Sequence, residues 1–372
     1  MSQVNDALKH EVQLQRVATK LIKSGVYKSL DEAYKAVRLI LLDAENITSP
    51  TKLNAVTKKI SAAVDEAISR GWAEYTGELE TIAIYDAAYY AGMMSSVAGG
   101  KLSVPAKKTI TDYINKSLMS LSNGQSPKVG VWSEFVSENT SGVAEQINNL
   151  VKAGYVNNAT VGQMTTSIRQ FSENLGKQQA EALARTGLQH YSQQARKAMA
   201  EDNLDILDRE YPLVTFDNRT SSKCIGISSH YPDGWEVGKS PVGYAPFHYN
   251  CRTVIIFGVK GMGDPRKSVE KPAVGSGENY PEDSAKKPIY KGRRSSKDGK
   301  FNVEQIPAST PFGTWLKSQD RAFVDDVLGP TRAKLFLDGG LDIRRMSDAF
   351  GNELSLDALR KIESSAFSKA GI

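Results

Sequence analysis

The sequence predicts an α+β protein, predominantly α-helical: a long N-terminal helical domain, a small β unit with a long loop, a flexible linker and a small C-terminal helical module. Three observations lead there. Apolar residues recur at helical spacing through roughly the first 205 residues. β-branched and aromatic runs appear only after Tyr211, separated by a loop rich in Gly and Pro. Residues 261–304 are Gly, Pro, Ser, Lys and Glu with scarcely an apolar side chain, and helical signals return from Thr310. A chain of 372 residues has room for two or three compact units. The divisions fall at 1–138 (N-terminal helical domain), 139–260 (helices, then the β unit), 261–304 (basic linker or arm) and 305–372 (C-terminal helical module).

Taken in order, Ser29 and Glu32 form a capping-box pattern before Ala33, Tyr34, Val37 and Leu41. Leu53, Val56, Ile60, Val64 and Ile68 repeat at helical spacing, and Gly71 is a candidate stop. A second long helix is expected from about Ala73 to Val97, ended by Gly99-Gly100. Pro105 suits a first turn, with Asn123-Gly124 closing that helix. A looser connection crosses 126–137, and helices resume near 143–152, 161–171 and 176–200. Val214-Thr215-Phe216 and Arg252 to Phe257 are the strand candidates. In the last module Ser355 can cap a helix bearing Leu356, Leu359 and Ile362, over a core around Trp315, Leu328 and Phe336.

Composition excludes several classes. The content is globular, 40% hydrophobic and 24% charged. Two cysteines do not make a disulfide scaffold. No apolar run reaches a membrane span, and the first residues lack the basic and apolar regions of a signal peptide. We expect a chain kept in a reducing cytosol or inside a particle assembled there. The basicity is local: Lys286, Lys287, Lys291, Arg293, Arg294, Lys297 and Lys300 face only Asp298, so this run carries +6 of a whole-chain +5. Such a run can bind DNA phosphates or serve as a solvated tether. Tyr85, Tyr89 and Tyr90 are read as helix packing.

The densest chemical cluster runs from Asp217 through Arg219, Thr220 and Cys224 to His248, Asn250, Cys251 and Arg252. Three readings compete. Cys224, His248 and Cys251 could ligate zinc with Asp217 or His230 as a fourth ligand, although no Cys-x-x-Cys pair is present. A Cys–His nucleophile would need a base or helix terminus to form its thiolate. Alternatively Asp217 accepts hydrogen bonds from the loop or from Arg252, Arg219 and Asn250 stitch the loop down, and the cysteines are small buried residues. The residues favour this third, structural reading, so no catalytic residue, metal or cofactor is assigned.

The segment resembles that of phage Mu F-type head-morphogenesis (minor head) proteins, over about residues 140–260. Their pattern is Asp-x-Arg-Thr-Cys-x-x-Cys, a loop containing a Gly, then His-Pro-Asn-Cys-Arg-Cys. Here Asp217, Arg219, Thr220, Cys224, Gly234, His248, Asn250, Cys251 and Arg252 correspond. Ser221 and Thr253 stand where the family often has cysteines, and Tyr249 replaces a proline. Gly154 to Ile168 and Ala184-Arg185-Thr186 resemble the family upstream, and Thr314 to Phe336 with Leu354 to Leu359 resembles a minor-head tail. The resemblance implies a structural, non-enzymatic minor capsid protein acting in head assembly inside the head near the portal. Its partners would be the portal protein, the major capsid or scaffold proteins and packaged double-stranded DNA, with no membrane. The alternative is a virion-carried metal-dependent nuclease or toxin-like effector.

Overall fold

The computed structural model describes residues 3–44, 47–121, 127–280 and 300–372. Helix α1 (Gln3–Ser24) buries Val4, Ala7, Leu14, Ala18 and Ile22 along one face, with the polar His10 and Glu11 buried between Ala7 and Leu14. After Gly25, α2 (Val26–Asp43) turns Leu30, Ala33, Val37 and Leu41 inward. Ser29 lies inside this helix with its hydroxyl on the Val26 carbonyl, so it is not the expected cap. Helix α3 (Pro50–Ala98) has 49 residues and is about 70 Å long. Ser49 caps its start, Pro50 occupies the first turn, and left-handed Gly99 ends it. The two helices expected here are therefore one. Gly71 does not stop it: a Cβ there would lie 2.2 Å from Ser29 Oγ, so the glycine allows α2 to cross close by.

Helix α4 (Lys107–Lys116) leads to a small ribbon, β1 (Met119–Leu121) paired antiparallel with β2 (Lys128–Gly130). Asn123-Gly124 lies outside the described residues. Helix α5 (Trp132–Val156) then runs straight through position 138. Helical packing is thus continuous where the sequence suggested a domain boundary, and the expected loose connection holds β2 and the first turn of α5. Thr160 and Gln163 form a reciprocal cap on α6 (Val161–Phe171). A π-type turn, Ser172–Gly176, joins it to α7 (Lys177–Glu201), which is buried almost all round and packs on α1 through α5. Gly187 admits the Trp132 ring, which would stand 2.4 Å from a Cβ at that position.

The chain is α+β and predominantly helical, as its sequence predicts. The β unit is a three-stranded antiparallel sheet, β3 (Leu207–Leu213) between β4 (Trp235–Glu236) and β5 (Val254–Val259). β3 ends before Val214-Thr215-Phe216, which continue as extended chain. β5 is buried throughout, with Phe257 edge-on to Tyr90 of α3 and its carbonyl taking the Gln3 amide at 2.7 Å. A nine-residue helix, α8 (Ser222–His230), interrupts what the sequence presented as loop.

Part of the stretch expected to be linker is instead strand. Within 261–304 the described residues include β6 (Glu270–Ser276), paired antiparallel with β7 (Phe301–Pro307). Val274 N–H donates to the Phe216 carbonyl at 2.9 Å, and Lys271 Nζ donates to the Val214 carbonyl at 3.0 Å while lying over the Phe216 ring. Polar side chains bury here because backbone carbonyls and a ring receive them. The C-terminal module holds α9 (Phe312–Leu316), α10 (Arg321–Leu328), α11 (Pro330–Leu337), α12 (Leu356–Ile362) and α13 (Ser364–Ala370). Trp315 and Phe336 are buried and Ser355 caps α12 as expected, while Ile362 is exposed. Phe216 packs on Phe312 and Trp315 at ring distances of 4.9 and 5.1 Å, so this module is seated on the β unit.

One charged group organises the helices. Arg196 of α7 is fully buried. Its Nε donates to Asp86 Oδ2 of α3 at 2.6 Å and its Nη2 to Glu11 Oε2 of α1 at 3.2 Å. His10 Nε2 reaches Asp86 Oδ1 at 2.5 Å. The guanidinium lies over Tyr90, and Tyr89 stacks on His10, so two of the three clustered tyrosines are helix packing. Removing one partner of such a pair leaves an uncompensated buried charge. Asp86→Ala is therefore expected to cost about 3–5 kcal/mol in urea unfolding. Asp86→Asn, which keeps acceptor and shape, should cost less.

Candidate functional site

The site forms where the chain leaves β3. Asp217 is buried at the first turn, and its Oδ1 accepts the Arg219 N–H at 2.9 Å, an Asx turn. Thr220 donates its hydroxyl back to the Thr215 carbonyl. Ser221 Oγ then caps α8 by accepting the Cys224 N–H at 3.2 Å, which sets Cys224 in the first helical turn. On the return, Cys251 N–H donates to the His248 carbonyl at 3.2 Å, and Asn250 takes a left-handed conformation at φ 57°. Arg252 closes the loop by donating Nη1 to Asp217 Oδ2 at 2.7 Å and Nη2 to Oδ1 at 2.9 Å. This bidentate pair joins residues 35 apart in sequence.

Helix α7 holds the far side. Thr186 Oγ1 accepts the Asn250 N–H at 3.0 Å, and Gln189 Nε2 donates to the Thr253 carbonyl at 2.6 Å. Between these anchors the sulfur groups meet. Cys224 Sγ is 3.1 Å from His248 Nε2 and 3.7 Å from Cys251 Sγ, and Thr253 Oγ1 donates to Cys224 Sγ at 3.1 Å. Both thiols are buried and unlinked by a disulfide. The hydrogen bond to Cys251, with burial, holds the Cys224 pKa well above the ordinary thiol value. Burial acts the same way on Cys251, but the hydrogen bond from Cys224 and the imidazole nearby bring it well below that value.

Comparison of the chain with family models, curated proteins and solved structures finds no match. The site is therefore read from its own geometry. Asp217, Thr220, Cys224, His248, Cys251 and Arg252 come together, whereas Asn250 faces α7. Arg219 holds the turn through its backbone N–H; among the described residues its guanidinium has no hydrogen-bond or salt-bridge partner. Gly234 stands apart at φ 64° beside β4, where a Cβ would strike the Glu210 carbonyl. The two suggested fourth zinc ligands are elsewhere engaged: Asp217 by Arg252, and His230 by the Ser347 carbonyl at 3.0 Å. Lys286, Lys287, Lys291, Arg293, Arg294 and Lys297 lie outside the described residues, in the segment joining β6 to β7. Lys300 is described, and its carbonyl accepts the Gly277 N–H.

Residues the sequence did not single out also belong to this region. Gln189 is a structural donor to the clasp. Glu210 of β3 is buried, with Trp235 Nε1 and Tyr244 Oη donating to its carboxyl. The cavity beside Cys224 and His248 is only about 10 Å³, room for about one water and not for an organic substrate. That geometry speaks against a nucleophilic Cys–His site working on a bound substrate here.

Asp217→Ala takes the bidentate partner from the half-buried Arg252 guanidinium and frees the Asx turn, so chemical denaturation should show a loss of about 2 kcal/mol. A second group makes stability depend on pH. Burial raises the Glu210 pKa from 4.5 to about 7 despite hydrogen bonds that favour the carboxylate. The folded chain therefore keeps that proton longer than the unfolded one. Its stabilising effect is complete below pH 4.5, declines as pH rises to about 7 and is then flat. Unfolding free energy followed against pH should lose ~3 kcal/mol across that window through this group. The decline should be absent in Glu210→Gln.

Proposed function

We propose that this chain is a structural component of a phage head, a minor head protein of the Mu F type, acting in head assembly near the portal vertex. The observation that carries the reading is the clasp. Asp217, Thr220, Cys224, His248, Cys251 and Arg252, the residues on which the resemblance rests, converge on one buried locus tied to α7. Among the described residues their hydrogen bonds run to one another, to the backbone and to the side chains of Ser221 and Thr253, and the cavity they border is only about 10 Å³. A motif spent on holding a loop supports a scaffold role for this unit.

The rest of the architecture suits an assembly component. The 49-residue α3 gives the helical unit a long axis, and exposed apolar side chains such as Leu39 and Leu42 on α2 offer contact area to other head proteins. The portal protein and the major capsid or scaffold proteins are the proposed partners. The basic segment joins the paired strands β6 and β7, and packaged double-stranded DNA is its proposed ligand. Among the described residues no helix is long and apolar enough to cross a membrane.

Mass spectrometry of purified particles should find this chain in the head and, after cross-linking, joined to the portal. Particles that lack it overturn the proposal. Deleting 286–300 should flatten the salt dependence of DNA affinity, since the log–log slope falls by about 0.9 for every phosphate that the segment no longer neutralises. An unchanged slope removes the segment as the DNA-binding element.

A further inference from the structure

We propose that Cys224, His248 and Cys251 are three ligands of a binding site for one soft divalent metal ion, zinc by its donor set. Their ligand atoms lie within 4.8 Å of one another, with both cysteines buried. The site belongs to the isolated chain and stands independently of a role in the phage head.

Several features fit. Zinc bonds to sulfur of about 2.3 Å at tetrahedral angles set two sulfurs ~3.8 Å apart. The two Sγ atoms stand 3.7 Å apart before any ion is bound. His248 Nε2 is 3.1 Å from Cys224 Sγ, so the ring needs to shift by only about half an ångström to share an ion with it. The imidazole is also oriented for the task. Its Nδ1 is 2.8 Å from the Tyr249 carbonyl, which makes Nδ1 the donor and leaves the Nε2 lone pair facing the sulfurs. Cys224 sits in the first turn of α8, held there by its N–H on Ser221 Oγ at 3.2 Å. Arg252, held on Asp217, adds positive charge nearby.

The fourth position has room for one water. The cavity of about 10 Å³ bordered by Arg219, Thr220, Ser221 and Thr253 opens beside Cys224 and His248. Thr253, already donating to Cys224 Sγ, is placed to orient that thiolate. Binding is an exchange without oxidation. Two thiols release two protons to solvent, and two thiolates, a neutral imidazole and a dication sum to zero charge. The ion thereby joins α8 to the 248–251 turn without unsettling the Asp217–Arg252 pair.

The test uses the full-length chain, purified under reducing conditions from zinc-supplemented cells. Elemental analysis should give one zinc per chain. After stripping with a chelator, cobalt(II) should titrate to one equivalent with the visible bands of a tetrahedral ion and a thiolate charge-transfer band. Cys224→Ser and Cys251→Ser should each lose that charge-transfer band or most of it. Since those variants can also disturb folding, Thr253→Cys supplies a gain: a third thiolate beside Cys224 should strengthen the band at unchanged stoichiometry. A folded, reduced wild-type chain that carries no zinc and gives only the weak spectrum of octahedral cobalt overturns the site. So does a cobalt thiolate band that persists in the Cys224→Ser/Cys251→Ser double variant. A purified chain whose mass shows a Cys224–Cys251 disulfide, and which takes up no metal after reduction, overturns it as well.

Discussion

Arg196 carries its charge into the middle of the helical unit, where water cannot hydrate it, and the surrounding fold is arranged to answer that charge. Asp86 and Glu11 come to it from α3 and α1, Tyr90 lies under its plane, and His10 extends the network through its own bond to Asp86. A guanidinium so buried is stable only with its hydrogen-bond partners in place. The position of α7 between α1 and α3 is therefore specified more tightly than apolar packing alone would specify it. Hydrophobic faces tolerate sliding by a residue; a bidentate contact between Arg196 and Asp86 does not.

The same helix reaches the clasp. Ten residues before Arg196, Thr186 takes the Asn250 N–H, and Gln189 donates to the Thr253 carbonyl. The loop from Asp217 to Arg252 thus inherits its placement from a helix fixed by a buried ion pair. The bidentate Asp217–Arg252 contact closes the loop from the other side, and the cap at Ser221 aims Cys224 at His248 and Cys251. The C-terminal module depends on this arrangement in turn. α8 packs on it through Gly226, where a Cβ would meet Ser347 Oγ at 2.5 Å, and through Lys223 Nζ on Asn352 Oδ1.

Much of the fold was legible because periodicity and caps are local. The stripe of α2 and the Ser355 cap are written in neighbouring residues. What escaped was tertiary. Gly71 has the local signature of a stop, yet its reason is a helix crossing it. Residues 222–230 contain Gly and several Ser and look like loop, and α8 stands because Ile225 and Ile227 are buried and Gly226 fits against the last module. Within 261–304 composition suggests no order, but Lys271 and Arg266 are buried by carbonyls and rings that no window of sequence contains. At the site, residue identities marked the Asp217–Arg252 segment, whereas the convergence of two sulfurs and an imidazole could only be seen once the chain was folded.

The closing end of the loop from Asp217 to Arg252 is thus held in place by α7. Hydrogen exchange at the amides of Asn250 and Cys251 measures this most directly, because those N–H groups are bonded to Thr186 and to the His248 carbonyl. They should exchange as slowly as the core amides of α7, through global unfolding, and Thr186→Val should release Asn250 selectively. Fast exchange of Asn250 in the wild-type chain, on the time scale of exposed loops while α7 stays protected, would contradict that placement.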